Sequence, residues 1–193
     1  MKTKTVMKIG MFVGSAYFLS VFLTMFAGNS ISEIYMHIVT MLSGIYMVLF
    51  VIALPERKEN TKQFYKILAI TCASVCMVLT NISHWITLAA IQPLMENGIS
   101  VPEYLQSGTW PSLIMAIDYL GWGLFMGLSF VCSAFFADPE AKLKTLLFLC
   151  GILCLIGFFG SLISPFIWLV APMGYGVGAL IIGIKVLLSK KLS

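Results

Sequence analysis

The chain has 193 residues, of which 60% are hydrophobic and 10% charged, with a formal net charge of +4 and a mean hydropathy of +0.98. Soluble domains carry about 25% charged residues, so this composition excludes an ordinary water-soluble domain and points to the membrane. It argues against nucleic-acid binding as well, because the basic residues are spread over four short segments without a dense cluster or aromatic interleaving.

A lipid-spanning helix needs about 20 mostly apolar residues. Six stretches meet that length: residues 9–27, 34–54, 67–92, 112–137, 145–163 and 166–187. The expected fold is all-α: a single polytopic six-helix transmembrane domain over residues 1–193. Lys2, Lys4 and Lys8 precede the first span, which has the charged start of a signal peptide. Its apolar run exceeds the usual 7 to 15 residues and Met25-Phe26-Ala27 is a poor cleavage site, so a retained anchor is expected. Ser30-Ile31-Ser32-Glu33 has the form of a capping box before the second span.

Arg57, Lys58, Lys62 and Lys66 lie between the second and third spans, Lys142 and Lys144 between the fourth and fifth, and Lys185, Lys190 and Lys191 at the end. The alternate connections carry Glu33, Glu96 and Glu103 and no Lys or Arg. The positive-inside rule therefore predicts a multi-pass plasma-membrane protein with both termini cytoplasmic. The connection at 95–110 is longer than its neighbours; a solvated connection is expected, and a lid folded over the helix ends is the alternative. Asp138-Pro139-Glu140 and Ser164-Pro165 each place a capping oxygen before a proline at a helix start.

Gly123 and Gly127, Gly174 and Gly178, and Gly151, Gly157 and Gly160 mark the last three spans. Small residues let helices approach closely in lipid, so tight packing of these spans is expected, within one chain or between copies. Pro172 should deprive the Trp168 carbonyl of its usual helical donor and kink the sixth span. Cys72, Cys76, Cys132, Cys150 and Cys154 all fall within spans and read as small packing residues. Trp85, Trp110 and Trp168 fall near span ends and read as interfacial anchors.

The expensive polar residues concentrate in one layer. With the fourth span entering near Pro111, a rise of about 1.5 Å per residue puts Asp118 roughly 10 Å below that boundary. His84 in the third span falls at a similar depth, with Asn81 one turn deeper, and His37 is about one turn into the second span. A carboxylate in hydrocarbon costs about 2.5 to 3.5 kcal/mol on insertion scales, so Asp118 needs a partner or a wet cavity. His84 or His37 is the nearest cation, with Asn81, Tyr119 or water as neutral alternatives.

Three readings follow for this layer. Asp118, His84, Asn81 and His37 form a polar contact that only fixes helix register; or they mark a small-solute or proton site, with Trp122 lining a pocket over Asp118 or merely packing; or His37, His84 and Asp118 bind a metal, or the two histidines a haem. No cofactor is called for by any motif, and the serine of "TWPS" lacks the glycines of a nucleophile elbow, so enzyme activity is the least supported. Possible partners are the lipid bilayer, a small-molecule ligand, and a second copy or another membrane protein docked on the glycine-lined helices.

The stretches "TNISHWITLAAIQP" and "MAIDYLGWGLFMGLSFVCSAFFA" resemble a pattern in an uncharacterised family of small multi-pass bacterial integral membrane proteins. There an Asn near the end of one span is followed by an aromatic-rich turn and a "D-Y-L-G-W-G" run in the next. The resemblance implies a six-helix architecture and no substrate, cofactor or catalytic residue.

Overall fold

The computed structural model describes residues 3–27, 30–56, 62–106, 109–137 and 141–188. Six long apolar helices account for nearly all of them: α1 (Thr3–Ala27), α2 (Ser30–Ile52), α3 (Gln63–Glu96), α4 (Leu113–Phe136), α5 (Ala141–Ser161) and α6 (Pro165–Leu188). Each is long and apolar enough to cross a membrane. All six predicted spans are therefore present as helices.

Neighbours in sequence are neighbours in space and run antiparallel. Thr24 of α1 reaches the Ser32 carbonyl of α2, Gly44 of α2 faces Met77 of α3, and Ser129 Oγ of α4 donates to the Ala69 carbonyl of α3 at 2.8 Å. Gly127 of α4 meets Gly151 of α5, and Gly157 of α5 meets Ala171 of α6. Contacts between α6 and α1 close the ring, with Leu180 against Gly14. The start of α1 and the end of α6 consequently lie at one end of the bundle.

The interior is built as a lipid solvent requires. Phe50, Phe130, Phe136, Met126, Leu147 and Ile182 form its fully buried centre, while Phe12, Phe26, Leu162, Ile163 and Phe166 project outward. Several hydroxyls are satisfied on their own helix, Thr40 donating to the Met36 carbonyl, Ser43 to Val39 and Thr87 to Ser83, whereas Thr80 Oγ1 and Ser133 Oγ are buried without a partner among the described residues. Back-bonding of this kind lets Ser and Thr sit in a helix without an external partner.

The glycines do as expected, and within the chain. A Cβ on Gly123 would lie 2.6 Å from the Phe158 Cβ, and one on Gly151 would lie 2.8 Å from the Gly127 carbonyl oxygen. Gly174 and Gly178 give the same room to Cys150 and Cys154. The glycine faces of α4, α5 and α6 are thus covered by one another. All five cysteines are buried and free.

Local winding departs from expectation at the prolines. α3 runs past Pro93 because a wide π turn at Thr87–Ile91 precedes a last turn, Gln92–Glu96, that accepts Pro93 at its start. In α6 the Trp168 carbonyl is not left without a partner: the Ala171 N–H bonds to it, closing a 3₁₀ segment Pro165–Val170. A π turn, Met173–Gly178, follows Pro172. The proline is thus absorbed by tight winding before it and wide winding after it.

Two of the expected helix caps also differ. Ser30 is the first residue of α2, not the residue before it, and Glu33 lies in its first turn. Ser164 is extended and precedes Pro165, but its side chain makes no capping bond. Asp138-Pro139-Glu140, Arg57 and Lys58 lie outside the described residues; nearby, Glu56 pairs with Lys66.

Two tryptophans expected as interfacial anchors are instead part of the core. Trp110 stacks on Tyr119 with centroids 5.0 Å apart, Tyr119 on Trp168 at 3.8 Å, and Tyr175 on Trp122 at 4.6 Å. Flat stacking buries these rings against each other and makes them cement between α4 and α6. Only Trp85, 60% exposed, keeps an outward position.

Candidate functional site

The site grows from three helix segments that the antiparallel register brings level. His37 stands two turns into α2, His84 near the end of the regular part of α3, and Asp118 in the first two turns of α4. The α2–α3 and α3–α4 contacts set all three at the end of the bundle opposite the termini. A π turn, Leu120–Phe125, begins two residues after Asp118, and another begins three residues after His84. Such wide turns shift the side chains on either side of them out of normal register and recur at functional sites.

The three polar residues form a chain, not a converging set. His37 Nδ1 and His84 Nδ1 are 2.6 Å apart, with ring centroids at 4.8 Å and planes inclined by 60°. The other nitrogen of His84, Nε2, faces Asp118 Oδ1 at 3.6 Å. His84 therefore bridges His37 to Asp118 and is the predicted partner of the carboxylate.

A 2.6 Å nitrogen–nitrogen contact is a hydrogen bond, so one Nδ1 carries the proton and the other its lone pair. The expected metal reading gains nothing from this arrangement: among the described residues no three His, Cys, Asp or Glu side chains are placed to hold one metal ion. Nor can a haem lie between histidines that already touch.

Asp118 is held loosely. The donors that reach its carboxylate are Ser83 Oγ at 3.4 Å and His84 Nε2 at 3.6 Å, both long for a charge-assisted bond, which prefers about 2.7 to 2.9 Å. Ser83 also donates to the Thr80 carbonyl at 3.0 Å, so its single proton is divided. The carboxylate's remaining capacity is turned to an open cleft.

That cleft has a volume of about 630 Å³. His37, His84 and Asp118 line it together with Glu33 of α2 and Gln92 and Glu96 of α3; Met36, Met95 and Met115 supply apolar wall. Gln92 Nε2 reaches Glu96 Oε1 at 3.4 Å, so the rim carboxylate is also weakly bound. Three carboxylates and two imidazoles thus face one space, and no Lys or Arg lines it.

The connection between α3 and α4 is more than a solvated link. Val101 is buried against Ile91 and Ile114, with Leu105 packed beside them. Gln106 donates to the Val101 carbonyl at 2.7 Å, and its own carbonyl accepts from Ser112 Oγ at 2.6 Å. The loop folds back over the helix ends and sets Gln106 in the cleft wall. Most of its described residues are nonetheless exposed, Ile99 at 53% and Tyr104 at 62%, as in a solvated connection, and Val101 is its one buried apolar side chain among them.

Two expected site residues stand elsewhere. Asn81 does not line the cleft; its Oδ1 is buried and finds no partner among the described residues. Trp122 is 4% exposed and lines a different hollow, stacked on Tyr175. Ser83, Glu33, Glu96, Gln92 and Gln106 were not foreseen. Polar residues free of Lys and Arg near the same end of α2, α3 and α4 were the available signal, but only the assembled bundle turns those side chains inward.

Comparisons of the chain with protein-family models, with curated proteins and with solved structures return no match. The resemblance of residues 80–93 and 115–137 to small bacterial membrane proteins accordingly adds nothing to the six apolar helices, which by themselves mark a multi-pass membrane protein.

Proposed function

We propose that this membrane protein takes up a small cationic solute in the cleft formed by α2, α3 and α4, and that the His37–His84–Asp118 chain exchanges a proton as the solute binds. The observation that carries the reading is a cleft of about 630 Å³ lined by Glu33, Glu96 and Asp118 and, among the described residues, by no Lys or Arg. The volume falls in the range of about 300 to 1,000 Å³ usual for small-molecule sites. A wall of acceptors favours a ligand that brings both positive charge and N–H donors.

Among the described residues no Phe, Tyr or Trp lines the cleft. A quaternary ammonium, which is recognised by aromatic faces, is therefore disfavoured against a protonated primary or secondary amine. Glu33 precedes His37 by one helical turn, about 6 Å of rise. Glu33 and Glu96 near the helix ends and Asp118 deeper in the cleft offer two levels of carboxylate, which suits a short linear diamine. By the positive-inside rule the basic end of the bundle is cytoplasmic and the cleft faces outward.

The proton follows from the imidazole contact. If both Nδ1 atoms carried protons they would repel, so the pair holds one net positive charge at most while the contact lasts. Where the pair carries that charge, an arriving ammonium is repelled by it and displaces its proton to the solvent. Isothermal titration of purified protein with a linear diamine, a quaternary ammonium and a neutral polyol, in two buffers of different ionisation enthalpy, tests both parts. Diamine binding with proton release is expected, weakened by about 10- to 100-fold in Asp118→Asn through loss of a charged hydrogen bond. Binding of the polyol as tightly as the diamine, or no amine binding by folded protein, refutes the reading.

A further inference from the structure

A second hollow lies nearer the end of the bundle that carries the termini, and the proposed solute site does not use it. It runs between α1, α2 and α6, past Met7, Gly10 and Gly14 on one side, Tyr46 behind, and Gly176 and Gly183 on the other. From Met7 to Tyr17 along α1 it spans ten residues, about 15 Å of helix rise. Its cavity volume is only about 60 Å³, and about 590 Å³ when the space of its open side is included, so it is a shallow groove and not an enclosed pocket.

The glycines on its α6 wall differ from those at the α4–α5 contact. A Cβ added to Gly176 or Gly183 would meet nothing within 4 Å, so these two positions open onto space that no part of the described chain fills. The groove is open sideways, since Met11 and Phe18 on its rim are 39% and 44% exposed. In a bilayer that side faces lipid.

Its two ends have opposite character. At the inner limit Tyr17, Trp122 and Tyr175 form an aromatic end wall. At the other limit stand Lys4, one turn before Met7, Lys8 directly after it, and Lys185, two residues beyond Gly183. α1 and α6 contain no Asp or Glu. Lysine stems of this kind lie along apolar surface and lift their charge to the headgroup level.

The geometry points to a bound anionic phospholipid: one acyl chain lies in the groove between α1, α2 and α6, with the phosphate at Lys4, Lys8 and Lys185. An apolar trough about 15 Å long, ending at basic residues, matches a chain beneath a phosphate. A second copy fits worse, because a two-fold contact on this face would set the same lysines against each other.

The test is native mass spectrometry of the full chain released from mixed micelles containing phosphatidylglycerol and phosphatidylcholine of equal chain length. One phosphatidylglycerol per protein is expected, preferred by at least about tenfold. The Lys4→Gln, Lys8→Gln, Lys185→Gln triple variant should lose the preference. Gly176→Leu combined with Gly183→Leu should lose the lipid. In the unaltered protein, phosphatidylglycerol with a photoreactive acyl chain should label α1 and α6 around the groove, which keeps the proposal testable if the leucine variant does not fold. Equal retention of both lipids, undiminished retention in the folded leucine variant, labelling confined to other helices, or a dimer in place of the lipid complex would each overturn it.

Discussion

The sharpest stability test compares glycines that are crowded with glycines that are not. At Gly151 a Cβ would lie 2.7 Å from Val131 Cγ2, 2.8 Å from the Gly127 carbonyl oxygen and 2.9 Å from the Val131 backbone nitrogen. Two of these three atoms are backbone, so a rotamer change cannot relieve them. Reaching an ordinary contact near 3.4 Å requires α4 and α5 to separate by about 0.6 Å. Overpacking of this kind costs about 1 to 3 kcal/mol, against which the better helix propensity of alanine returns at most about 1 kcal/mol. Gly151→Ala is therefore expected to destabilise, by up to about 2 kcal/mol once the full propensity gain is subtracted.

Gly183→Ala keeps the propensity gain and meets no atom within 4 Å, so it should be neutral or stabilising by up to about 1 kcal/mol. The assay is reversible unfolding in mixed micelles with increasing denaturing detergent, followed by far-ultraviolet circular dichroism, with both variants and the parent in one series. The predicted order is Gly183→Ala at or above the parent and Gly151→Ala below it. If Gly151→Ala proved as stable as Gly183→Ala, the α4–α5 contact described above would be wrong.

Other consequences are as direct. Ser129→Ala removes the bond to the Ala69 carbonyl at 2.8 Å; interhelical bonds of this type average about 0.6 kcal/mol and reach about 1.7, so a loss within that range is expected in the same unfolding assay. Trp168→Leu breaks the stack with Tyr119 at 3.8 Å and should cost at least the 0.5 to 1.5 kcal/mol, roughly, that such pairs add beyond burial, with a matching change in near-ultraviolet circular dichroism. The five buried cysteines should resist a water-soluble maleimide in the folded protein and react after denaturation. Rapid labelling of Cys150 or Cys154 would contradict their burial under α6.

Composition and the spacing of lysines were enough to read six spans, because hydrocarbon admits little besides long apolar helices. The glycine patterns announced close packing for a similar reason: a missing Cβ has few uses in lipid except approach. The polar layer was legible in part. Asp118, His84 and His37 stood out since each is costly in hydrocarbon wherever it points.

Direction was what the sequence left open, and direction is a property of the assembled bundle. Asn81 shares a helix with His84 but misses the cleft, while Ser83, adjacent to His84, reaches the carboxylate. Glu33 and Glu96 read as loop-end charges until α2 and α3 set them on one rim. Trp110 and Trp168 had the depth of interfacial anchors, yet Tyr119 between them draws both into a stack. Chain order and hydropathy determine which residues can lie at one depth in a membrane. Only the rotation of each helix, fixed by glycine contacts and by π turns that shift register, decides which of them meet.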